Sequence, residues 1–389
     1  MASSSVTTIT AGQPLGYKAL GSTPSSTLGS SPSLSSSPSL SSSPPTLSPS
    51  PSTSSTSSTS DNLDFHTMDF TKVVQSCNKF CFQERHATLF RFFVLDHKIP
   101  VGYMLPNFIT QMTWNVPGFE VDQNRKTVLL NPDTEPGETI HQACENAFMA
   151  LCRANVGSID GLRAWLSQHD ENGSPQYHPI LGVRPDLAWL KVPSPIRGVL
   201  GIVTSGAHMT MYTFKGDDRI PHIWVAKRSP RVTYAGMYDQ LAAGALGPGD
   251  GGNQLKAMAR EALEEAGLTV DMVTCRVTTE QGERVGYLSA GSLISFYDEK
   301  DQVAGAESGQ LEPGIRFTFE LCVSESFVPK PCDAHAIECF RLLSLDEVKE
   351  SLLAGEWKPN SALVMLSFLE AKGLLGIEDR LELHALNNI

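Results

Sequence analysis

The sequence predicts an α/β protein in three parts: a disordered tail over residues 1–62, a small α+β domain over 63–197, and an α/β/α sandwich over 198–389. Three observations lead to this division. The tail is dominated by Ser and Pro, the middle part mixes short strand-like segments with one long amphipathic helix, and the last part alternates apolar strands with a Gly-rich loop and an acidic helix. A chain of 389 residues is long enough for one to three domains.

The tail differs in composition from the rest of the chain. Its first 60 residues hold 24 Ser and 8 Pro, and Lys18 is their only charged residue. Such a segment buries too little apolar surface to offset the entropy of ordering it, which predicts disorder. Its Ser content and lack of acids faintly resemble an organelle transit peptide, although the Arg residues typical of one are missing. The expected location is cytoplasmic, with organelle targeting left open.

The α+β part contains short segments with the spacing of helices and strands. They are a helix at 70–82, strands at 87–95 and 97–103, a helix at 105–112, a strand at 126–130 and a helix at 139–155. The last of these places Ala143, Ala147, Phe148 and Leu151 on one face, which predicts that this face is buried. Residues 192–197, with two prolines, are the expected join between the domains.

The third part has the pattern of strands on either side of helices. The predicted strands cover 206–214, 222–227, 273–279, 287–296 and 315–323, and the predicted helices cover 253–266, 345–354 and 362–372. On the first helix, the apolar residues Leu255, Met258, Ala259, Ala262 and Leu263 follow helical spacing. This order of elements predicts the sandwich.

The helix over 253–266 points to a chemistry. Glu261, Glu264 and Glu265 lie within about one helical turn of each other, so three carboxylates crowd one face. Arg260 can pair with one of them but does not neutralise three. A hard divalent cation, Mg²⁺ or Mn²⁺, would balance the group. Such a cation on carboxylates is the usual tool for reactions at phosphate oxygens.

The stretch Arg260-Glu-Ala-Leu-Glu-Glu-Ala-Gly-Leu268 resembles the second half of the signature of the Nudix hydrolases, which cleave a diphosphate linked to another group. The resemblance implies the Nudix α/β/α sandwich, with Glu261, Glu264 and Glu265 as metal ligands and Arg260 as the residue that holds them in place. The first half of the signature departs from the family. Gly252 stands where the family has Glu, and the nearest acid is Asp250, in a loop two residues longer.

Over residues 65–389 the chain resembles one Nudix branch, which has an extra N-terminal domain and occurs before fungal thiamine pyrophosphokinases and in plant chloroplasts. The segments that carry this resemblance include Gly102-Tyr-Met-Leu-Pro106, Trp224-Val-Ala-Lys-Arg-Ser229, Thr233-Tyr-Ala-Gly-Met-Tyr-Asp239 and Lys358-Pro-Asn-Ser-Ala-Leu-Val364. The resemblance implies hydrolysis of thiamine diphosphate, or of its oxidised or damaged analogues, to the monophosphate. An acidic run that the branch has before its last strand is reduced here to Glu338.

Charge limits the partners. Residues 61–389 carry 42 acidic and 29 basic side chains, a net charge of −13, which disfavours nucleic-acid and anionic-membrane surfaces. The expected partner is therefore a small-molecule diphosphate, with a homodimer left open. An anionic substrate needs local cations, and Lys227 and Arg228 just before the signature are the candidates. His208 and Tyr234 are the candidates for contact with the organic group.

The catalytic base has several candidates. Asp250, Glu338 or Glu264 could accept a proton from the attacking water. The altered signature equally suits a catalytically impaired Nudix domain that binds a ligand or a protein. The segment Gly247-Pro-Gly-Asp-Gly-Gly252 has the spacing of a dinucleotide-binding loop, but no repeated strand–helix unit surrounds it. The eight Cys residues are expected to be free thiols, because the chain shows no secretory signal.

Overall fold

The computed structural model describes residues 68–375, apart from Asn172 and Asp218. These residues belong to one compact unit of the chain. The predicted disordered tail over 1–62 lies outside the described residues, and so do residues 376–389. The division of the remainder into domains at residue 197 stays a prediction.

The described residues form helices of four to fifteen residues. They are α1 (Thr71–Gln75), α2 (Phe82–Arg85), α3 (Pro106–Gln111), α4 (Ile140–Ala154), α5 (Leu162–Asp170), α6 (Gln254–Ala266), α7 (Leu345–Leu353) and α8 (Pro359–Ala371). Among them, no helix combines the length and the apolar character that crossing a membrane requires.

The strands of the described residues fall into three sheets. They are β1 (Phe90–Val94), β2 (Gly102–Met104), β3 (Phe119–Asp122), β4 (Thr127–Leu130), β5 (Tyr177–Pro179), β6 (Lys191–Pro193), β7 (Thr204–Phe214), β8 (Pro221–Arg228), β9 (Tyr238–Gln240), β10 (Ala242–Ala245), β11 (Leu268–Val270), β12 (Arg276–Thr279), β13 (Arg284–Glu299), β14 (Leu311–Cys322) and β15 (Ile337–Leu343). Strands β5 and β6 form a two-stranded sheet of their own.

A small four-stranded sheet forms the N-terminal part. Its order is β2-β1-β4-β3, and β1 and β4 are parallel while the other pairs are antiparallel. Phe92 and Leu130 of this sheet share a buried core with Phe148 and Leu151 of α4. The whole predicted inner face of α4 is buried, which confirms the helix and its orientation.

The large sheet has the order β11-β12-β13-β14-β7-β8-β15, with β10 paired to β7 and β9 paired to β8. Strands β7 and β14 are parallel. Helix α6 packs on one face, in a core with Met209 and Trp224, whereas α7 and α8 pack on the other face with Ile223 and Val225. Alternation along β8 sends Trp224 and its neighbours to opposite faces. The predicted mixed α/β class is therefore confirmed.

The N-terminal segment differs from the prediction. Instead of one helix over 70–82, the chain forms α1 and α2 with a non-helical stretch between them. There the backbone N–H of Lys79 donates to the buried carboxylate of Asp298. Phe70 and Val74 of this segment join the core of α7 and α8, beneath the large sheet. These long-range contacts outweigh the local helical pattern. Strand β3 and helix α5 are two further elements that the patterns did not predict.

Candidate active site

Helix α6, which carries the acidic motif, is fixed at both ends by its own sequence. The Asn253 side chain accepts a hydrogen bond from the backbone N–H of Lys256 at 3.0 Å, which caps the N-terminus. Gly267 ends the helix in the left-handed conformation, at φ 63°, which a residue without Cβ adopts without strain. The predicted helix over residues 253–266 is confirmed, except that residue 253 is the N-cap and the helix itself begins at Gln254.

The face of α6 that packs on the sheet determines which carboxylates are buried. Met258, Ala262 and Ala266 recur once per turn and are buried. Leu263, another of the apolar residues with helical spacing, is 47% exposed. It lies about 100° around the helix axis from Ala262, and this rotation turns it toward solvent. Glu261 lies on the opposite side of the row formed by Met258, Ala262 and Ala266 from Leu263, and it is buried there.

Arg260 links the acidic groups of the site. Its Nη1 donates to Oε1 of Glu261 at 2.7 Å and to Oε2 of Glu264 at 3.1 Å. Its Nη2 donates to Oδ2 of Asp250 at 3.1 Å and to the carbonyl oxygen of Ala245 at 2.9 Å. One guanidinium thus joins α6, strand β10 and the loop between them.

Asp250 closes the longer loop rather than extending toward solvent. Its side chain is 4% exposed. Oδ2 accepts the backbone N–H of Gly247 at 2.8 Å as well as the contact from Arg260. The structure therefore brings Asp250 into the acidic cluster, where it positions Arg260.

Glu261 lies directly on strand β10. A Cβ added to Gly244 would lie 1.8 Å from Oε1 of Glu261 and 1.9 Å from its Cδ. The carboxylate therefore occupies the space that any other residue at position 244 would fill. Burial raises the pKa of Glu261, and the contact with Arg260 opposes this rise. The absence of a side chain at Gly244 is what allows a charged group to lie against the sheet here.

Glu265 holds the same strand one helical turn further on. Its Oε2 accepts the backbone N–H of Ala243 at 2.8 Å. Burial raises its pKa well above the usual value, and the nearby charge of Glu261 adds to that rise. Glu261 is buried and Glu265 is half-buried, and two such carboxylates that repel each other are costly to keep ionised without a cation.

These two carboxylates fit a divalent cation by their chemistry. Within the described residues, Oε2 of Glu261 and Oε1 of Glu265 accept no hydrogen bond, so each side chain has an oxygen available as a ligand. Glu264, the third predicted ligand, is 56% exposed and turns toward Arg260. Across the ranges that the structure describes, no three His, Cys, Asp or Glu side chains are arranged to hold a metal ion.

A polar cavity of about 180 Å³ adjoins strand β10. Gly244 and Ala245 of that strand line it, together with Gly206 and His208 of β7. The cavity and the carboxylate site therefore share one strand. Its remaining lining is Gln176, His178, Ser194, Arg197, Thr204, Ser205, Thr233, Tyr234, Lys300, Glu307, Glu312, Arg316, Lys358 and Asn360.

His208, predicted to line the substrate pocket, lines this cavity and is buried. Its Nδ1 lies 2.8 Å from Oε1 of Gln240. Because Nε2 of Gln240 donates to the carbonyl of Ser361, the Gln240 oxygen must accept, and we assign the imidazole proton to Nδ1. Burial lowers the pKa of His208 to about 3, so the ring is neutral.

Tyr234, a predicted contact for the organic group, also lines the cavity and adopts a left-handed conformation with φ 56°. Such a conformation is uncommon for a bulky residue and is concentrated at functional sites. Arg228 does not line the cavity. Its Nε donates to the carbonyl of Thr233 at 2.9 Å and its Nη1 donates to buried Asp239 at 2.9 Å. It therefore fixes the backbone beside Tyr234.

Lys227 and Glu338 lie apart from the cavity. They form an ion pair of 3.6 Å between β8 and β15, and the side chain of Glu338 is 49% exposed. The structure does not bring either residue to the cavity lining.

Sequence reasoning missed the charged residues of the cavity. Lys300, Glu312 and Arg316 are each at most 6% exposed, and all belong to or border strands. Charged residues within strand-like apolar segments are rarely buried unless they are paired. Their presence in such segments was therefore the sequence signal from which a buried charged cluster could have been predicted. Arg197 was seen only as part of the join between the predicted domains.

The comparisons with known proteins give distant similarities. No protein-family model matches the sequence. The uncharacterized protein YJR142W of Saccharomyces cerevisiae is 29% identical over 224 residues, which are 57% of this chain and 59% of the yeast protein. The chain thus matches about three fifths of the length of that relative.

Several solved Nudix structures resemble part of the chain. The Nudix domain of Shewanella oneidensis NrtR, solved with ADP ribose, has a TM-score of 0.31 at 8% identity, over 43% of this chain and 87% of that one. The Ap4A hydrolase of C. elegans has a TM-score of 0.28 at 12% identity, over 45% and 100%. A Nudix hydrolase of Nitrosomonas europaea has a TM-score of 0.28 at 21% identity, over 43% and 90%.

Proposed function

We propose that this protein hydrolyses a diphosphate linkage in a small organic diphosphate, with Mg²⁺ or Mn²⁺ as its cofactor. The observation that supports this most is the arrangement of buried Glu261 and half-buried Glu265, two carboxylates with an available oxygen each, beside a polar cavity. The resemblance of Arg260–Leu268 to the Nudix signature supports the same reaction. Thiamine diphosphate and its oxidised or damaged analogues are the first candidate substrates, on the resemblance to the thiamine-associated branch.

The reaction adds water across the anhydride. A bond forms between the oxygen of water and one phosphorus, the bond from that phosphorus to the bridging oxygen breaks, and one proton of water is released. A cation held by Glu261 and Glu265 would screen the phosphate charge and lower the pKa of the water, and Glu264, the third predicted ligand, is left to accept the proton. Arg260 keeps Glu261 and Glu264 in place through its two hydrogen bonds from Nη1.

Among the three candidate bases, the contacts favour Glu264. Arg260 occupies its Oε2, and the side chain is 56% exposed, so one carboxylate oxygen is free to accept a proton from water. Asp250 is buried and holds Arg260 and the backbone N–H of Gly247. Glu338 pairs with Lys227 away from the cavity. We therefore assign proton acceptance to Glu264 and positioning to Asp250.

A ligand-binding module without turnover is the second candidate. Asp250 accepts a hydrogen bond from Arg260, so its carboxylate is engaged with a side chain rather than with a metal or water. Among the described residues there is also no three-ligand metal group. Both observations favour binding without turnover. In that case the cavity would still bind an anionic ligand.

Hydrolysis with Mg²⁺ of a diphosphate panel tests the proposal. The panel contains thiamine diphosphate, its oxidised analogues, ADP-ribose and nucleoside diphosphates, and products are separated by chromatography. Glu261→Gln and Glu265→Gln should abolish turnover, whereas Glu350→Gln, on the exposed face of α7, should leave it unchanged. Ligand binding without turnover by the unmodified protein on every compound would reject the hydrolase and support the binding module.

A further inference from the structure

The cavity is lined by a cluster of charged side chains that have no role in the proposed mechanism. Nζ of Lys300 lies 3.0 Å from Glu312 and also forms a salt bridge with Glu307. Nη2 of Arg316 donates to Glu312 at 2.6 Å, and Nη2 of Arg197 lies 3.5 Å from Glu307. All five side chains line the cavity. We call these five residues the cation cluster.

The cation cluster has a surplus positive charge. Lys300 and Arg316 hold the pKa of Glu312 well below its usual value against the effect of burial, and Lys300 does the same more weakly for Glu307. Both carboxylates are therefore ionised near neutral pH. Three cations face two anions, and an unpaired charge is costly away from water.

The neutral groups around the cluster do not remove this surplus. Nε2 of His178 lies 3.3 Å from Nη1 of Arg197. Burial, and next the charge of Arg197, lower the pKa of His178 well below its usual value, so the ring is uncharged and accepts the hydrogen bond. Lys358, on another side of the cavity, shares the single carboxylate of Asp239 with Arg228. A second group of two cations and one anion therefore adjoins the same space.

The size of the cavity limits what it can hold. Pockets for whole organic ligands measure about 300–1,000 Å³. At about 180 Å³, this cavity suits a small polyatomic anion rather than an organic diphosphate in full. Its polar lining offers the hydroxyl of Ser205, which is buried and has no hydrogen-bond partner within the described residues, beside the cations.

The position of the cavity relates it to the carboxylate site. Gly244 and Ala245 line the cavity, while Glu261 occupies the side-chain space of Gly244 and Arg260 donates to the carbonyl of Ala245. Gly206, which pairs with Ala245, adds a second bare position next to Arg316. The carboxylate site and the cavity therefore meet at strand β10.

We propose that the cavity is a phosphate-binding site that receives the terminal phosphate of the substrate, held by Arg197, Lys300 and Arg316. This inference rests on the proposed hydrolase activity for its substrate, while the anion site itself does not depend on turnover. The organic group then lies outside the cavity. Substrates are diphosphates with an unsubstituted terminal phosphate, and the products are an organic monophosphate and inorganic phosphate. A second organic group on the terminal phosphate would not fit.

Binding of inorganic phosphate to the full chain, without metal, tests the site directly. Isothermal titration should show binding that Arg197→Gln weakens on the order of 10-fold, the value of one lost charge-assisted hydrogen bond. Glu307→Gln raises the surplus charge of the cluster and should tighten binding. Arg184→Gln, which removes an exposed guanidinium paired with Asp96, should leave binding unchanged.

Because the two cavity variants change affinity in opposite directions, general destabilisation cannot produce the expected pattern. Equal phosphate affinity in Arg197→Gln, Glu307→Gln and the unmodified protein would overturn the site. So would absence of binding in the unmodified protein.

A matched pair of substrates tests the orientation. The best diphosphate from the panel is compared with its methyl ester on the terminal phosphate, and the ester should be hydrolysed at least about 10-fold less efficiently. Equal hydrolysis of both would overturn the inference and leave the hydrolase proposal intact. Phosphate binding with the expected variant pattern but no turnover would support the anion site and reject the hydrolase.

Discussion

Replacing Gly244 by Ala tests whether the Glu261 carboxylate belongs to the reaction site. An ideal Cβ at this position lies 1.8 Å from Oε1 and 1.9 Å from Cδ of Glu261. Since non-bonded atoms need about 3.5 Å, the carboxylate has to move by about 2 Å. It lies at the end of a flexible side chain, so we expect the carboxylate to move and the strand to stay in place.

The displacement should affect activity far more than stability. A misplacement of about 1 Å can lower a rate by about 10²-fold, so kcat/KM for diphosphate hydrolysis should fall by at least about 100-fold. The free energy of unfolding should fall by about 1–3 kcal/mol, through overpacking and a weaker hydrogen bond between Arg260 and Glu261.

A second glycine provides the control. A Cβ on Gly249, in the loop that precedes α6, would have no neighbour within 4 Å, and its φ is not positive. Gly249→Ala should therefore keep both kcat/KM and the urea unfolding midpoint. If Gly244→Ala hydrolyses the substrate as efficiently as Gly249→Ala does, Glu261 has no part in the reaction and our assignment of the site is wrong.

Three further predictions concern the surroundings of the site. Asp239→Asn leaves the partly buried cations Arg228 and Lys358 beside a neutral amide and should lower the free energy of unfolding by about 3 kcal/mol. Asp186→Asn, at an exposed pair, should lower it by less than about 1 kcal/mol, and urea titrations at pH 7 compare the two variants. Because the pKa of His208 falls to about 3 on folding, the unfolded state binds more protons between pH 3 and 6.5, so stability is lost as pH falls below 6.5. His208→Gln should remove about 2 kcal/mol of the loss between pH 6.5 and 5, and parallel stability curves for the two proteins would contradict this. Ser344→Ala removes the side-chain cap of α7 and should cost about 1 kcal/mol in calorimetry without lowering kcat/KM; a large loss of activity would mean that α7 affects the site.

Local patterns predicted most helices and strands because helical and strand periodicities are short-range. The span of α6 followed from the helical spacing of its apolar residues, and the acidic motif followed from residues within one turn of each other. His208 and Tyr234, the predicted contacts for the organic group, both line the cavity, and their role in substrate binding stays a prediction. The metal, the substrate and the catalytic roles stay predictions.

Local patterns failed where distant segments decide the environment. The helix expected over 70–82 is interrupted because Lys79 pairs with Asp298, more than two hundred positions away. Leu263 suits a buried face by type, yet the phase that Met258 and Ala262 set against the sheet turns it outward.

By itself, the sequence determined the mixed α/β fold class and the acidic helix α6, since both depend on residues that are neighbours along the chain. Only the tertiary structure brought Arg197, Lys300 and Arg316 together around two carboxylates. These residues come from a connecting segment, a strand end and a central strand, and their separation along the chain hides the cluster. Glu312 stays ionised because Lys300 and Arg316 lower its pKa against the effect of burial, and these cations surround it only when all of these segments are packed together.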